Sequence, residues 1–287
     1  MEELPLTGDA RIYEVFHETR YDYSVPVSLS LQAIRLTPRF RRFRQSIEAT
    51  PCGSLRFLRD AYENPVHHFE WIGPTESFVV RNRMTVERTR ANPFDFLLEE
   101  SALRRPVGYG DHERVILAPF LEDQSTRDPA LGELARDFLP GETETVPFLT
   151  DLVRNVNTKL AYEARDEPGI LDPAALCRLG VGSCRDFASF LLRILRHEGF
   201  AARFVSGYLL ETGDLRGAEA MHAWVEAYLP GAGWVGLDPT NGILSDDGFV
   251  GCAVGITPGE TTPVAGRFFA DEAASSTMKT RLTVKPL

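Results

Sequence analysis

No apolar run in the 287-residue sequence approaches the roughly 18 residues that a membrane-spanning helix needs, so no such helix is expected. The N-terminus, Met1-Glu2-Glu3-Leu4-Pro5, lacks the apolar stretch of a secretory signal, which points to a cytoplasmic protein. Positive charge is in short supply: 31 Lys and Arg against 41 Asp and Glu leave a net charge of −10. That balance argues against nucleic acid or an anionic membrane as partner. The one basic run, Arg39 to Arg44, reads as a solvated loop or strand edge. Cysteine is scarce. Cys52, Cys177, Cys184 and Cys252 form no Cys-x-x-Cys pair, so no zinc site is indicated. In a reducing compartment they are expected to stay free thiols.

What is present divides the chain. From Tyr13, alternate residues Tyr13, Val15, His17, Thr19, Tyr21 and Tyr23 line one face of a strand, with Glu14, Glu18, Arg20 and Asp22 on the other. Pro26 is expected to end that strand, residues 29–36 and 77–87 to form others, and 60–65 to make a hairpin turn. After residue 120 the period becomes helical. Asp128-Pro129 is a helix start, Leu149, Leu152, Val153 and Val156 follow helical spacing, and Asp172-Pro173 opens a third helix. Pro, Gly and charge cluster over 100–128. The reading is therefore a β-rich N-terminal domain over 1–120, a linker, and an α+β domain over 121–287 ending in a loop (270–280) and a last strand (281–284).

Three side chains carry chemistry. Cys184 follows Gly182-Ser183 and opens a strongly amphipathic stretch with Phe187, Phe190, Leu191, Ile194 and Leu195 on one stripe. Ser183 and Asp186 have capping-box spacing, and Gly199 ends the helix. Cys184 thus falls in the first helical turn, where unpaired N–H groups and the helix dipole favour a thiolate and can also receive an oxyanion. His222 opens a strand to Leu229, residues 230–233 turn, and Trp234–Asp238 returns. If Leu229 pairs with Gly233, His222 and Asp238 lie diagonally on one face of the hairpin. A thiol, an imidazole and a carboxylate are a nucleophile, a base and its orienting group, able to work without metal or organic cofactor.

The runs Gly-Ser-Cys-Arg-Asp-Phe-Ala at 182–188, Ala-Arg-Phe-Val-Ser-Gly-Tyr-Leu at 202–209, Met-His-Ala-Trp-Val-Glu at 221–226 and Gly-Trp-Val-Gly-Leu-Asp-Pro-Thr-Asn-Gly at 233–242 resemble the bacterial transglutaminase-like family of cysteine-protease-like proteins. Residues 21–27 and 36–39 resemble its β-rich N-terminal region. The resemblance implies a papain-like or transglutaminase-like α+β catalytic domain preceded by a sandwich-like β domain. It makes Cys184 the nucleophile, His222 the base and Asp238 the orienting acid. It also implies a side-chain oxyanion donor upstream of the nucleophile, for which Tyr162 and Asn157 are the candidates. The chain departs from many relatives at Ser189 and over 249–258, which bears on substrate choice.

The expected chemistry is attack on an amide or peptide bond, a thioester intermediate, and hydrolysis by water. Such a protein is a peptidase or amidase whose partner is a peptide or amide substrate. Two alternatives stay open: an amide-forming transglutaminase or ligase using an amine acceptor, and a non-catalytic binding module that keeps the fold.

Overall fold

The structure, a computed structural model, describes residues 11–287 except 40–42, 89–91, 122–128, 166, 168, 211–214 and 219. In β1 (Arg11–Leu29) Tyr13, Val15, His17 and Thr19 are buried while Glu14 and Arg20 face out. This is the period-2 pattern of a strand covered on one side. Pro26 does not end β1. A register shift between Asp22 and Val27 takes up the residue that cannot donate to the ladder, and the strand continues. The strand expected over 29–36 is reduced to β2 (Gln32–Ile34). Then come β3 (Phe43–Thr50), β4 (Ser54–Arg59), β5 (Pro65–Glu70) and β6 (Thr75–Arg88). The 60–65 turn joins β4 to β5, with Asp60 Oδ1 accepting from the N–H groups of Tyr62 and Asn64 at 2.9 and 3.0 Å. One sheet is built on β1, β6 and β3, a second on β2, β5 and β4. Their facing sides share a core in which Phe69 stacks on Phe78 at 5.0 Å.

Arg39 is not solvated as expected. Its guanidinium donates to the Tyr62 carbonyl at 3.0 Å and to the Asn64 side chain, and burial lowers its pKa to about 10. Residues 40–42 of the basic run lie outside the described residues.

The stretch 100–128 is folded, not a bare linker, as far as 121. A 3-10 turn at Glu100–Ala102 leads to α1 (Asp111–Leu121), and Ala102, Val107, Tyr109 and Leu117 are buried in the core that also holds the Cys184 helix. The Tyr109 hydroxyl accepts from the Ala201 N–H at 2.9 Å and donates to the Tyr228 carbonyl at 3.1 Å. Charged residues and Pro119 in the last turn of α1 disguise this helix in the sequence.

Next, α2 (Pro129–Ala135) begins at the expected proline; Asp128 lies outside the described residues. The apolar positions of α3 (Thr145–Lys159) are buried as their spacing requires. After β7 (Ala161–Tyr162), Asp172 caps α4 (Pro173–Leu179) by accepting from the Ala175 N–H at 2.9 Å. Parallel pairing of β7 with β8 (Val181–Gly182) delivers the chain to α5 (Cys184–His197). The predicted stripe of α5 is buried on an antiparallel sheet of β9 (Ala202–Leu209), β10 (His222–Leu229), β11 (Gly233–Asp238), β12 (Ile243–Leu244) and β13 (Phe249–Gly255), ordered β12-β11-β10-β9-β13.

The chain then returns to its beginning. β14 (Val264–Ala265) joins β2, while β15 (Phe268–Phe269) and β16 (Ser276–Pro286) pair with β1. The last strand starts at Ser276, so the expected loop is shorter than 270–280. Strand pairing therefore crosses the expected division at residue 120. Tyr208, Leu210, Val250 and Cys252, beyond that division, pack into the same core as Tyr13, Val15 and Phe78. Among the described residues no helix is long and apolar enough to cross a membrane.

Candidate active site

The start of α5 is fixed by a buried carboxylate. Asp186 accepts from the Ser183 N–H at 2.8 Å and hydroxyl at 2.7 Å, from the Leu171 N–H at 2.8 Å, and from Arg165 at 3.0 and 3.1 Å. Burial alone would raise the Asp186 pKa; these donors, Arg165 foremost, outweigh it and hold the carboxyl below its ordinary range. Cys184, half-buried, is the first residue of the helix. The N–H groups of Asp186 and Phe187 are taken up by Ser183; those of Cys184 and Arg185 have no intrahelical acceptor and can meet an anion.

The hairpin has the register the sequence predicts, with Val225 opposite Leu237 and Leu229 opposite Gly233. His222 Nε2 consequently lies 3.0 Å from Asp238 Oδ2, both side chains fully buried. Asp238 is itself held: Oδ1 accepts from the Thr240 N–H at 2.9 Å and Oδ2 from the Asn241 amide at 2.6 Å. Burial by itself lowers the His222 pKa. The charge and hydrogen bond of Asp238, followed by the Cys184 side chain, outweigh burial and raise it to about 10. The buried carboxylate thus favours the protonated imidazole. With Nε2 on Asp238, Nδ1 is left for Cys184. It is buried and makes no hydrogen bond of standard geometry, so the thiol is a close neighbour of the ring and not locked to it. Both Cys184 and His222 open into one cavity of about 430 Å³.

Of the two candidate oxyanion donors, Asn157 is used elsewhere. Its amide donates to the Thr240 carbonyl at 2.5 Å and holds the turn that follows Asp238. Tyr162 pairs with Gly182, two residues before Cys184, and its hydroxyl approaches Gly217 on the same side as His222 Nδ1.

Sequence reasoning missed two supports of the site. Asn241, the last polar residue of the Asp-Pro-Thr-Asn run, also accepts from the Arg216 N–H at 2.8 Å and so ties the 215–218 turn to Asp238. Gly217 in that turn has φ +81°, and a Cβ there would stand 2.7 Å from His222 Nδ1. Only glycine allows the backbone to close over the imidazole so tightly. Among the described residues, no cluster of three His, Cys, Asp or Glu is placed to hold a metal.

This architecture has known counterparts. The transglutaminase-like superfamily core matches residues 132–239, and the bacterial transglutaminase-like N-terminal region matches residues 13–87. An uncharacterized protein of Mycobacterium tuberculosis is 29% identical over 294 residues, covering 95% of this chain and 92% of its own length. One from Mycobacterium leprae is 27% identical over 267 residues, covering 88% and 91%. The crystal structure of a "putative cysteine protease" from Cytophaga hutchinsonii superposes with a TM-score of 0.73 over 98% of this chain and 92% of that one, at 17% identity. At that identity the likeness is one of fold.

Proposed function

Because this chain belongs to the bacterial transglutaminase-like family, with both its core and its N-terminal region, we propose that it is a cysteine enzyme that opens an amide or peptide bond through Cys184, His222 and Asp238. The observation that carries this reading is the buried 3.0 Å pair of His222 and Asp238 beside a helix-start thiol, with Cys184 and His222 lining one cavity.

Cys184 Sγ, its proton passed to His222, forms a C–S bond to the substrate carbonyl carbon. The carbonyl oxygen becomes an oxyanion that the N–H of Cys184, at the start of α5, receives. Collapse breaks the C–N bond, and His222 gives its Nδ1 proton to the departing amine. Asp238 keeps the ring oriented and stabilises its charge throughout. In the second half, neutral His222 takes a proton from water as it attacks the thioester. The C–S bond breaks, and thiolate and imidazolium return together. An amine in place of water gives transfer by the same steps. Hydrolysis is the proposed outcome, since water always has access. The four unpaired thiols suit a reducing compartment, and the proposed location is the cytoplasm.

A screen of peptides and amides, with and without added amines and read by mass spectrometry, tests the reading. A Cys184 acyl adduct and a released acid are expected. Near-wild-type turnover by Cys184→Ala would sink it.

A further inference from the structure

The cavity at Cys184 is only half built by the catalytic sheet and helix. Its opposite wall is a patch of the N-terminal sheet. Thr19 and Tyr21 on β1 face it together with Thr280 and Met278 on β16, and these four are cross-strand partners, Thr19 with Thr280 and Tyr21 with Met278. Partners in an antiparallel ladder present their side chains on one face, so the four act as a unit. The unit is held in place. Thr19 Oγ1 lies 3.1 Å from His17 Nε2, His17 Nδ1 lies 2.9 Å from the Tyr208 hydroxyl, and Tyr208 belongs to β9 of the catalytic sheet. Val264 and Pro263 continue the wall from the segment that joins the two sheets.

The chemistry of this lining is lopsided. The chain carries ten more acidic than basic residues, yet none of the described residues lining the cavity is Asp or Glu. Arg185, held by the backbone carbonyls of Gly169, Arg165 and Glu167, places a positive charge in the lining, while His222 is matched by Asp238. A cationic side chain entering here would meet Arg185, find no carboxylate among the described lining residues, and lose water. An apolar side chain would bury surface against Tyr21, Met278, Val264 and Pro263.

We propose that the paired strands β1 and β16 form the substrate-selecting wall of the enzyme, and that the wall takes an uncharged, apolar side chain on the acyl side of the scissile amide. Thr19, Tyr21, Met278 and Thr280 are then specificity-determining residues contributed from outside the catalytic core. This deepens the thiol-enzyme reading and rests on it.

The test uses the full chain and peptidyl electrophiles that are identical except for Leu, Lys or Asp next to the reactive carbon. Mass spectrometry gives the labelling rate of Cys184 by each probe, divided by its rate with iodoacetamide, which is too small to reach the wall. The Leu probe should lead the Lys probe roughly tenfold or more. Met278→Glu and, separately, Thr280→Glu should shift that ratio toward Lys by a similar factor; both sites are exposed on β16, so folding is preserved. Equal ratios for the three probes, or ratios that neither substitution moves, overturn the wall proposal while leaving the thiol enzyme intact. An Asp probe faster than Leu also overturns it and gives the selection to Arg185. Failure of iodoacetamide to single out Cys184 overturns the underlying mechanism instead.

Discussion

His17 and Tyr208 are 191 residues apart in sequence, and their side chains meet at 2.9 Å in a fully buried contact between the N-terminal sheet and the catalytic sheet. Tyr208 also accepts from the Asn82 amide at 3.1 Å, and Asn82 accepts from Gln45 at 2.9 Å. A polar chain thus runs from the cavity wall through the sandwich. Tyr208→Phe removes the hydroxyl that joins His17 to Asn82 and leaves buried polar atoms unpaired. Urea denaturation should show a loss of about 1–3 kcal/mol.

The two buried histidines make stability depend on pH in opposite senses. Burial lowers the His17 pKa from 6.5 to about 4. Between those values the unfolded chain binds a proton that the folded chain does not. The His17 contribution is therefore complete above about pH 6.5 and lost as the pH falls toward 4, by about 3 kcal/mol. For His222, raised to about 10, the folded state binds the extra proton, so its contribution is complete below about 6.5 and lost as the pH rises toward 10. Unfolding free energies measured from pH 4 to 10 should fall at both ends. His17→Gln should flatten the acid limb alone; an unchanged acid limb would remove His17 from the account.

Cys184 should be alkylated ahead of the other thiols near pH 6, and loss of activity should follow that single event. Cys252 is buried and Cys177 half-buried, and burial raises the pKa of both. Exposed Cys52 is the informative competitor. Peptide mapping after brief iodoacetamide treatment gives the ratio directly. Labelling of Cys52 at the same rate as Cys184 would mark Cys184 as an ordinary thiol.

Asp238→Asn should lower turnover by about 10²–10⁴, because the amide no longer stabilises the imidazolium, while acylation of Cys184 still occurs. The pH profile should move with it, since Asp238 provides the first of the effects that raise His222. A rate and profile equal to wild type would leave Asp238 as no more than the end of its strand.

Gly217→Ala should impair the enzyme more than it destabilises it. A left-handed φ costs a non-glycine residue about 1–2 kcal/mol, and the new methyl would press on His222 Nδ1. The expected sign is a modest shift in the denaturation midpoint with a larger fall in kcat. Equal kcat for the variant would mean that the 215–218 turn moves aside freely.

Local patterns made much of this legible from the sequence. The odd residues of β1, the stripe on α5, the Ser183–Asp186 cap and the β10–β11 register all follow from spacings within one element or one turn, and each is found in the structure. What stayed hidden depends on partners far along the chain. Asn157 is committed to a carbonyl 83 residues away, Arg39 to Asn64, and β16 to β1. Periodicity reports which face of an element is apolar, not which distant element covers it, so the half-buried guanidinium of Arg39 reads as surface. The 100–121 stretch was misread for a related reason: a few buried side chains anchor it among many charged ones.

The pairing of β1 with β16 also sets an order of assembly. On the ribosome the thiol, the imidazole and the carboxylate all emerge before Ser276–Pro286. Until then one edge of β1 is open and Met278 and Thr280 are missing from the cavity. The nascent chain passes through an interval in which Cys184 exists without the wall proposed to choose what reaches it. In the folded protein, Ser276–Pro286 lies against Arg11–Leu29.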